Sequence, residues 1–304
     1  MYRAFFLNTL LIFLLLISSC VRHNAAGAAN EGMLIAVSIP PQQWFVSQIA
    51  GDNVQTVVLV PPGQNPHNYE PTPRQIQSLA SAGAWILSGT EFEISLRPKI
   101  ESLFSNLLII DGTQGVRFRM LEDHDHNCVH DHDHDHNNSI LEIDRHTWLG
   151  REPAKILAGH IKDVLSRLDG ENESGYRERY EKLVLEIDNV FDELQQVLSP
   201  LRNRSVFVYH PSFGYFFDEF AVRQEAVETG GKEPTPRELN NLTARMNIER
   251  PAAIFVQTQF PVNAARTLAD ASGAQVIALD PLAQDWLENI RLMGEALKFV
   301  MPAD

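Results

Sequence analysis

The sequence predicts an α/β protein of two lobes, each built on a parallel sheet, joined by one long helix. Three observations carry this reading. From Asn172 to Leu198 the apolar residues Tyr176, Tyr180, Leu183, Ile187, Val190, Leu194 and Val197 recur in alternating steps of four and three. That spacing draws one continuous stripe along a helix. On either side stand two near-copies of one heptapeptide, Glu70-Pro71-Thr72-Pro73-Arg74-Gln75-Ile76 and Glu233-Pro234-Thr235-Pro236-Arg237-Glu238-Leu239. Each is a full helix-start signal, with Thr as N-cap, Pro in the first turn and Gln or Glu placed to close a capping box. Each also leads through a short helix into an apolar run, Ala84 to Leu87 and Ala252 to Val256. Paired modules around a rod leave a cleft between them.

Residues 1–20 are not expected to join the fold. Arg3 gives a positive start, Leu10 to Ile17 is an apolar core too short to span a bilayer, and Ser18-Ser19-Cys20 ends it. The segment resembles a bacterial lipoprotein signal, in which Cys20 becomes the lipid-bearing first residue. Residues 21–31, rich in Ala, Asn and Gly, read as a flexible tether. The first lobe is expected over 32–170, the linking helix over 171–200 and the second lobe over 201–304.

In the first lobe the strand-like runs are Leu34 to Ile39, Val54 to Val60, Trp85 to Leu87 and Leu107 to Ile110. Helical spacing through Trp44, Phe45 and Ile49 separates the first two. The long helix follows; Glu171, Glu173, Lys182, Glu186, Asp188 and Glu193 lie mostly off its stripe. At its full expected length it extends about 40 Å. Pro200 closes it. In the second lobe the runs are Val206 to Tyr209, Ile254 to Val256 and Val276 to Leu279, and a last helix starting at Asp285 carries Trp286, Ile290, Met293, Leu297 and Val300. Apolar strands alternating with helices indicate parallel sheets covered on both faces, so the lobes are Rossmann-like.

A net charge of −14 over 304 residues argues against nucleic acid as a partner and is compatible with cations. With Cys20 lipidated, the second of the two cysteines, Cys128, has no partner, so no disulfide is expected. From Asp123 to Asn137 the chain packs His124, His126, His130, His132, His134 and His136 among five aspartates. Such a composition cannot build a core and predicts a solvated loop. Imidazole beside carboxylate suits zinc, copper or nickel, so these six histidines are expected to form an auxiliary, weakly binding metal region.

Scattered elsewhere are His67, beyond the second strand; His146, in Asp144-Arg145-His146-Thr147-Trp148-Leu149; His210, ending the run Val206–Tyr209; and Asp280, ending Val276–Leu279. In open parallel sheets the ligand crevice lies at the carboxyl ends of strands. At least three of the four fall at such ends, two in each lobe, so a metal held by them bridges the cleft.

The stretch from Pro62 to Pro73, with Pro-Gly-x-x-Pro-His-x-Tyr-Glu-Pro-Thr-Pro, resembles one family. So do Asp-x-His-x-Trp-Leu at 144–149, His-x-x-Phe-x-Tyr-Phe at 210–216 and Leu-Asp-Pro-Leu at 279–282. That family is the zinc-binding solute receptors of ABC importers, in the cluster that also holds manganese receptors. The resemblance spans nearly all of the chain beyond its leader and implies two α/β lobes bridged by one long helix. It implies that His67, His146 and His210 ligate the ion, with Asp280 closing the fourth position. It further implies a monomer outside the cytoplasmic membrane, periplasmic or on the cell surface, held only by its lipid, that delivers Zn2+ to an ABC permease and its ATPase. Arg145 replaces the Pro usual before the second histidine, and Ala283 a common Gly; neither change removes a donor. Three imidazoles and one carboxylate suit tetrahedral zinc, whereas manganese favours oxygen and six-fold coordination. The alternatives are a manganese receptor of the same family and, from another class, a zinc-dependent hydrolase with Glu70 or Glu228 as base. Four protein ligands and the lack of a His-Glu-x-x-His pattern argue against an enzyme.

Overall fold

A computed structural model of the chain describes residues 33–51, 54–121, 143–228, 234–260 and 263–301. The leader, Cys20, the tether, Glu233, Cys128 and the six histidines between 124 and 136 lie outside the described residues. Among the described residues no helix is long and apolar enough to cross a membrane.

Two four-stranded, all-parallel sheets form the two lobes. The first holds β1 (Met33–Val37), β2 (Val54–Val58), β3 (Ala84–Leu87) and β4 (Leu108–Asp111) in the order β2-β1-β3-β4. The second holds β5 (Ser205–Val208), β6 (Arg223–Ala226), β7 (Ala253–Gln257) and β8 (Gln275–Leu279) in the order β6-β5-β7-β8. Numbered within each lobe, the order is the same. The repeated heptapeptide falls at the same place in both: it opens α2 (Pro73–Leu79), between β2 and β3, and α7 (Pro236–Glu249), between β6 and β7. Thr72 and Thr235 each accept the N–H three residues on, and Gln75 and Glu238 reach back to the cap N–H at 2.8 and 2.6 Å.

The strands differ slightly from the apolar runs. β1 ends at Val37, and Leu59 and Val60 leave the second strand while still donating to Val37 O and Ser38 O at 2.9 Å each. β6 has no apolar run to announce it. It is an edge strand, Arg-Gln-Glu-Ala, with only Gln224 and Ala226 buried.

The remaining helices are α1 (Pro40–Ala50), α3 (Glu91–Leu103), α4 (Arg151–Leu168), α5 (Glu173–Val197), α6 (Gly214–Asp218), α8 (Asn263–Ser272) and α9 (Trp286–Lys298). The long helix α5 has 25 residues, flanked by 3-10 turns at 170–172 and 199–201. Tyr176, Leu183, Ile187, Val190, Phe191 and Leu194 are buried on it. Val197, expected on the stripe, is 39% exposed, and Leu198 is buried at that end instead. The inward face meets α1 and α4 on one side and α9 on the other. Arg179 donates to Ile49 O at the end of α1 at 2.6 Å, and Arg151 and Lys155 of α4 pair with Asp188.

The last helix returns to the first lobe. Trp286 is fully buried, with its ring centroid 5.0 Å from that of Phe45 and 5.8 Å from that of Trp44 on α1. One hydrophobic core therefore runs through the first sheet, α5, α9 and the near side of the second sheet, and a smaller one underlies α7 and α8.

Candidate metal centre

His67 lies in the loop after β2, which turns at Pro61-Pro62-Gly63. Its N–H donates to Asn65 Oδ1 at 2.9 Å. His146 leads the 3-10 turn Thr147–Leu149, and its N–H donates to Asp144 Oδ1 at 3.0 Å. His210 lies just past β5, where the Gln257 side chain takes its N–H at 3.2 Å and donates to its carbonyl at 2.6 Å. The Phe260 ring stacks on the His210 imidazole at 4.4 Å. His146 and His210 are each only 6% exposed.

These three loops bring three rings to one point. His210 Nε2 is 2.9 Å from His67 Nε2 and 3.3 Å from His146 Nε2. Among the described residues, the group of potential metal donors lying within 4.8 Å of one another is these three histidines. Asp280 is at the end of β8 as expected, but its carboxylate is outside that group. Asp280 Oδ1 accepts from Gln259 Nε2 at 2.7 Å and from Leu282 N–H at 2.9 Å.

The opposite nitrogen of each ring faces a carboxylate. His146 Nδ1 is 2.8 Å from Asp144 Oδ1, and His210 Nδ1 is 2.6 Å from Glu228 Oε2. His67 Nδ1 is 2.9 Å from Glu91 Oε2, though off the line of the N–H. An ionised carboxylate only accepts, so in His146 and His210 Nδ1 carries the hydrogen, and Nε2 of each ring, when neutral, is left with its lone pair. The lone pairs of His146 and His210 Nε2 therefore face each other at 3.3 Å, with His67 Nε2 beside them at 2.9 Å from His210, an arrangement that a cation among the three nitrogens would stabilise. Tetrahedral zinc with ordinary Zn–N bonds separates its nitrogen ligands by about 3.3 Å, close to the spacing found.

The charges around the rings fit a divalent ion. Burial pushes the Asp144 carboxyl up, but the His146 ring and N–H and the Arg119 guanidinium together hold it below its ordinary range. Burial likewise raises Glu91, and the close approach of the His67 ring brings it below its ordinary value. His210 is lowered to about 4, chiefly because burial penalises its charged form; Glu228 opposes the shift, and His146 and His67 add to it. This ring is therefore a neutral donor at pH 7. Two of the carboxylates are backed by arginines: Arg119 Nη1 reaches Asp144 Oδ2 at 2.7 Å, and Arg145 Nε is 3.6 Å from Glu91 Oε1. Arg145, which stands where the family usually has Pro, also donates to Gly89 O at 3.0 Å. Gly89 has φ +85°, and a Cβ there would lie 2.9 Å from Thr113. Only glycine suits this turn, which leads into Glu91.

Sequence reasoning gave no part to Glu91 or Arg119, noted Asp144 only as a motif residue and Arg145 only as standing where the family usually has Pro, and weighed Glu228 only as a hydrolytic base. The Asp-x-His spacing of Asp144 and His146 was a local signal for one of these partners. Glu91 and Glu228 meet their histidines across 24 and 18 residues of chain (67 to 91, 210 to 228), which no pattern reveals.

The chain matches the family model of zinc-uptake complex component A, periplasmic, over residues 35–298. It is 26% identical over 273 residues to the high-affinity zinc uptake system protein ZnuA of Yersinia pestis, covering 85% of this chain and 84% of that protein. It is 25% identical over 292 residues to a putative metal-binding protein of Chlamydia trachomatis, covering 94% of this chain and 98% of that one. A crystal structure of ZnuA superposes with a TM-score of 0.81 at 33% identity, over 90% of this chain and all of that one. Two parallel-sheet lobes, a long linking helix and this likeness along nearly the whole described chain place the protein in the zinc-uptake complex component A family, the ZnuA-like zinc-binding receptors of ABC transport.

Proposed function

We propose that this chain captures one Zn2+ between its lobes and delivers it to an ABC permease, and that it is a binding protein rather than an enzyme. The observation that carries the reading is the convergence of three imidazole Nε2 atoms from three separate loops, with a carboxylate facing Nδ1 of each ring. His67 and His146 come from the first lobe and His210 from the second, so the ion holds the halves together. Asp280 completes the four donors by exchanging its hydrogen bonds from Gln259 and Leu282 for the metal. Three imidazoles favour zinc over manganese, which prefers oxygen donors. Glu228, the one buried candidate for a hydrolytic base, is committed to His210 Nδ1, on the far side of the ring from the cluster. The exposed Glu70 has nothing to hold it there.

On this reading the protein works outside the cytoplasmic membrane as a monomer, anchored through Cys20. The histidines at 124, 126, 130, 132, 134 and 136 take up further ions weakly. Removing 124–136 should leave the tight site unchanged while lowering the total metal bound.

Zinc titration against a competing chelator tests the core of the proposal. His210→Ala should weaken binding by more than about a hundredfold, since a lost ligand costs more than a lost ligand support. Asp280→Ala should weaken it less, and zinc should displace manganese in competition. Wild-type affinity in His210→Ala would refute the assignment.

A further inference from the structure

Arg119 holds a metal-facing residue of one lobe to a helix of the other. Its backbone pairs with the segment bearing His146: Asp144 N–H donates to Arg119 O at 3.0 Å, and Met120 bridges Ile143 antiparallel. Its guanidinium then forks. Nη1 donates to Asp144 Oδ2 at 2.7 Å, and Nε donates to Asp218 Oδ2, on α6 of the second lobe, at 2.9 Å. Asp144 is fully buried, and its other oxygen takes both the ring and the N–H of His146. Tyr215, also on α6, closes the frame: its hydroxyl donates to Asp144 O and accepts from Arg119 N–H, each at 3.1 Å.

The first residue of α6 is shaped for this contact. A Cβ on Gly214 would fall 1.6 Å from Arg119 Nη1 and 2.7 Å from Asp144 Oδ2, so only a bare backbone admits the fork. Gly214 is four residues past His210, on the same chain segment. The guanidinium thus touches, through Asp144, the support of one metal-facing ring and, through α6, the segment that carries another. A planar, always-charged fork can hold two carboxylates in fixed directions, which an ammonium cannot.

We infer that Arg119 is a positioning residue for metal capture, fixing the direction of His146 Nε2 through Asp144 and tying that direction to the second lobe through Asp218. The inference rests on the zinc reading above. It predicts that the cost of losing Arg119 shows in the geometry of the bound metal and not only in the stability of the fold.

The test uses the full chain with zinc and, as a reporter of ligand geometry, cobalt(II), whose visible absorption responds to coordination. Arg119→Ala should weaken zinc about tenfold or more and change the cobalt spectrum. Arg119→Lys, which keeps the charge but loses the fork, should recover part of the affinity and not the wild-type spectrum. Asp218→Asn, which removes the charge from only the arm to the second lobe, should alter the spectrum in the same direction by a smaller amount. Arg179→Ala serves as the control for destabilisation alone. Arg179 anchors α5 to α1 away from the rings, and its loss should lower the unfolding temperature with zinc affinity and spectrum unchanged.

Arg119→Ala with wild-type affinity and spectrum would overturn the inference, as would an Arg179→Ala variant that shifts both equally. Should Arg119→Ala fail to fold, Asp218→Asn and Tyr215→Phe carry the test, and wild-type spectra in both would overturn it. Wild-type protein that bound neither metal would remove the zinc reading itself. Binding that was intact but indifferent to Arg119 would remove only this step.

Discussion

At the scale of single residues, the depressed His210 pKa links the stability of the fold to pH. The ring titrates near 6.5 when solvated and at about 4 in the fold. The unfolded chain therefore takes up this proton first as pH falls. His210 contributes stability that is fully present above about 6.5 and is lost as pH drops through that value toward 4. Asp144 and Glu91, both held below their ordinary values of 3.8 and 4.5, add stability that is lost at still lower pH. We expect the metal-free protein to lose thermal stability between pH 6.5 and 4, and His210→Gln to show a shallower decline across that window. Scanning calorimetry of both proteins at matched ionic strength checks this, and parallel slopes would contradict it. On the proposed reading, the same burial suits the ring to zinc at neutral pH, since no proton would have to leave Nε2 before an ion could bind.

Among the elements, the two capping boxes look alike in sequence yet differ in duty. Gln75 closes the box on Thr72 and does more: Tyr69 donates to its Oε1 at 2.9 Å, and its Nε2 donates to Leu59 O at 2.6 Å. It thereby clamps both ends of the loop that carries His67. Glu238 closes the matching box on Thr235. Gln75→Ala and Glu238→Ala should each cost about 1 kcal/mol of stability, as lost caps do. Gln75→Ala should also weaken zinc several-fold, while Glu238→Ala changes affinity less; equal effects on zinc would break the argument. The boxes were legible because helix starts depend on neighbours three residues apart, and the stripe of α5 was legible because burial there repeats with the helix period. Its end was not: Val197 yields to Leu198 where the last turn gives way to a 3-10 turn. β6 escaped notice because an edge strand of Arg-Gln-Glu-Ala buries too little to alternate visibly. The strand-end rule pointed to His210, and resemblance to the family assembled the quartet of donors. Neither supplied Glu91, Glu228 or Arg119, whose partners are set by how loops meet in space.

For the whole molecule, the question is how far the lobes move when the ion enters. Two indoles answer each other across the cleft. Trp148 Nε1 donates to Pro281 O at 2.8 Å, and Trp286 Nε1 donates to Trp148 O at 2.6 Å. The first of these ties the turn next to His146 to the residue next to Asp280. Trp286 is embedded between α1 and α5, with Phe45 at 5.0 Å and Phe191 at 6.4 Å. Wide hinge opening would break both bonds and expose two indoles that are at most 2% accessible, with one core cut in half. Shifts of loops and slight sliding of packed helices carry no such cost. Zinc loading should therefore change the radius of gyration by less than about 1 Å, as read by solution scattering of metal-free and loaded protein, against the larger contraction expected of a hinged receptor. Trp148→Phe keeps an aromatic ring but removes the indole N–H and orphans the buried Pro281 carbonyl, which should cost about 1–3 kcal/mol of stability on top of the smaller ring's lost packing. It should also widen the loading change, because the lobes lose one of the bonds that tie them. If that variant contracted on zinc no more than the wild type, the Trp148–Pro281 bond would not be what limits the motion, and the rod α5, the shared core and the Arg119 and Tyr215 bonds would have to do so.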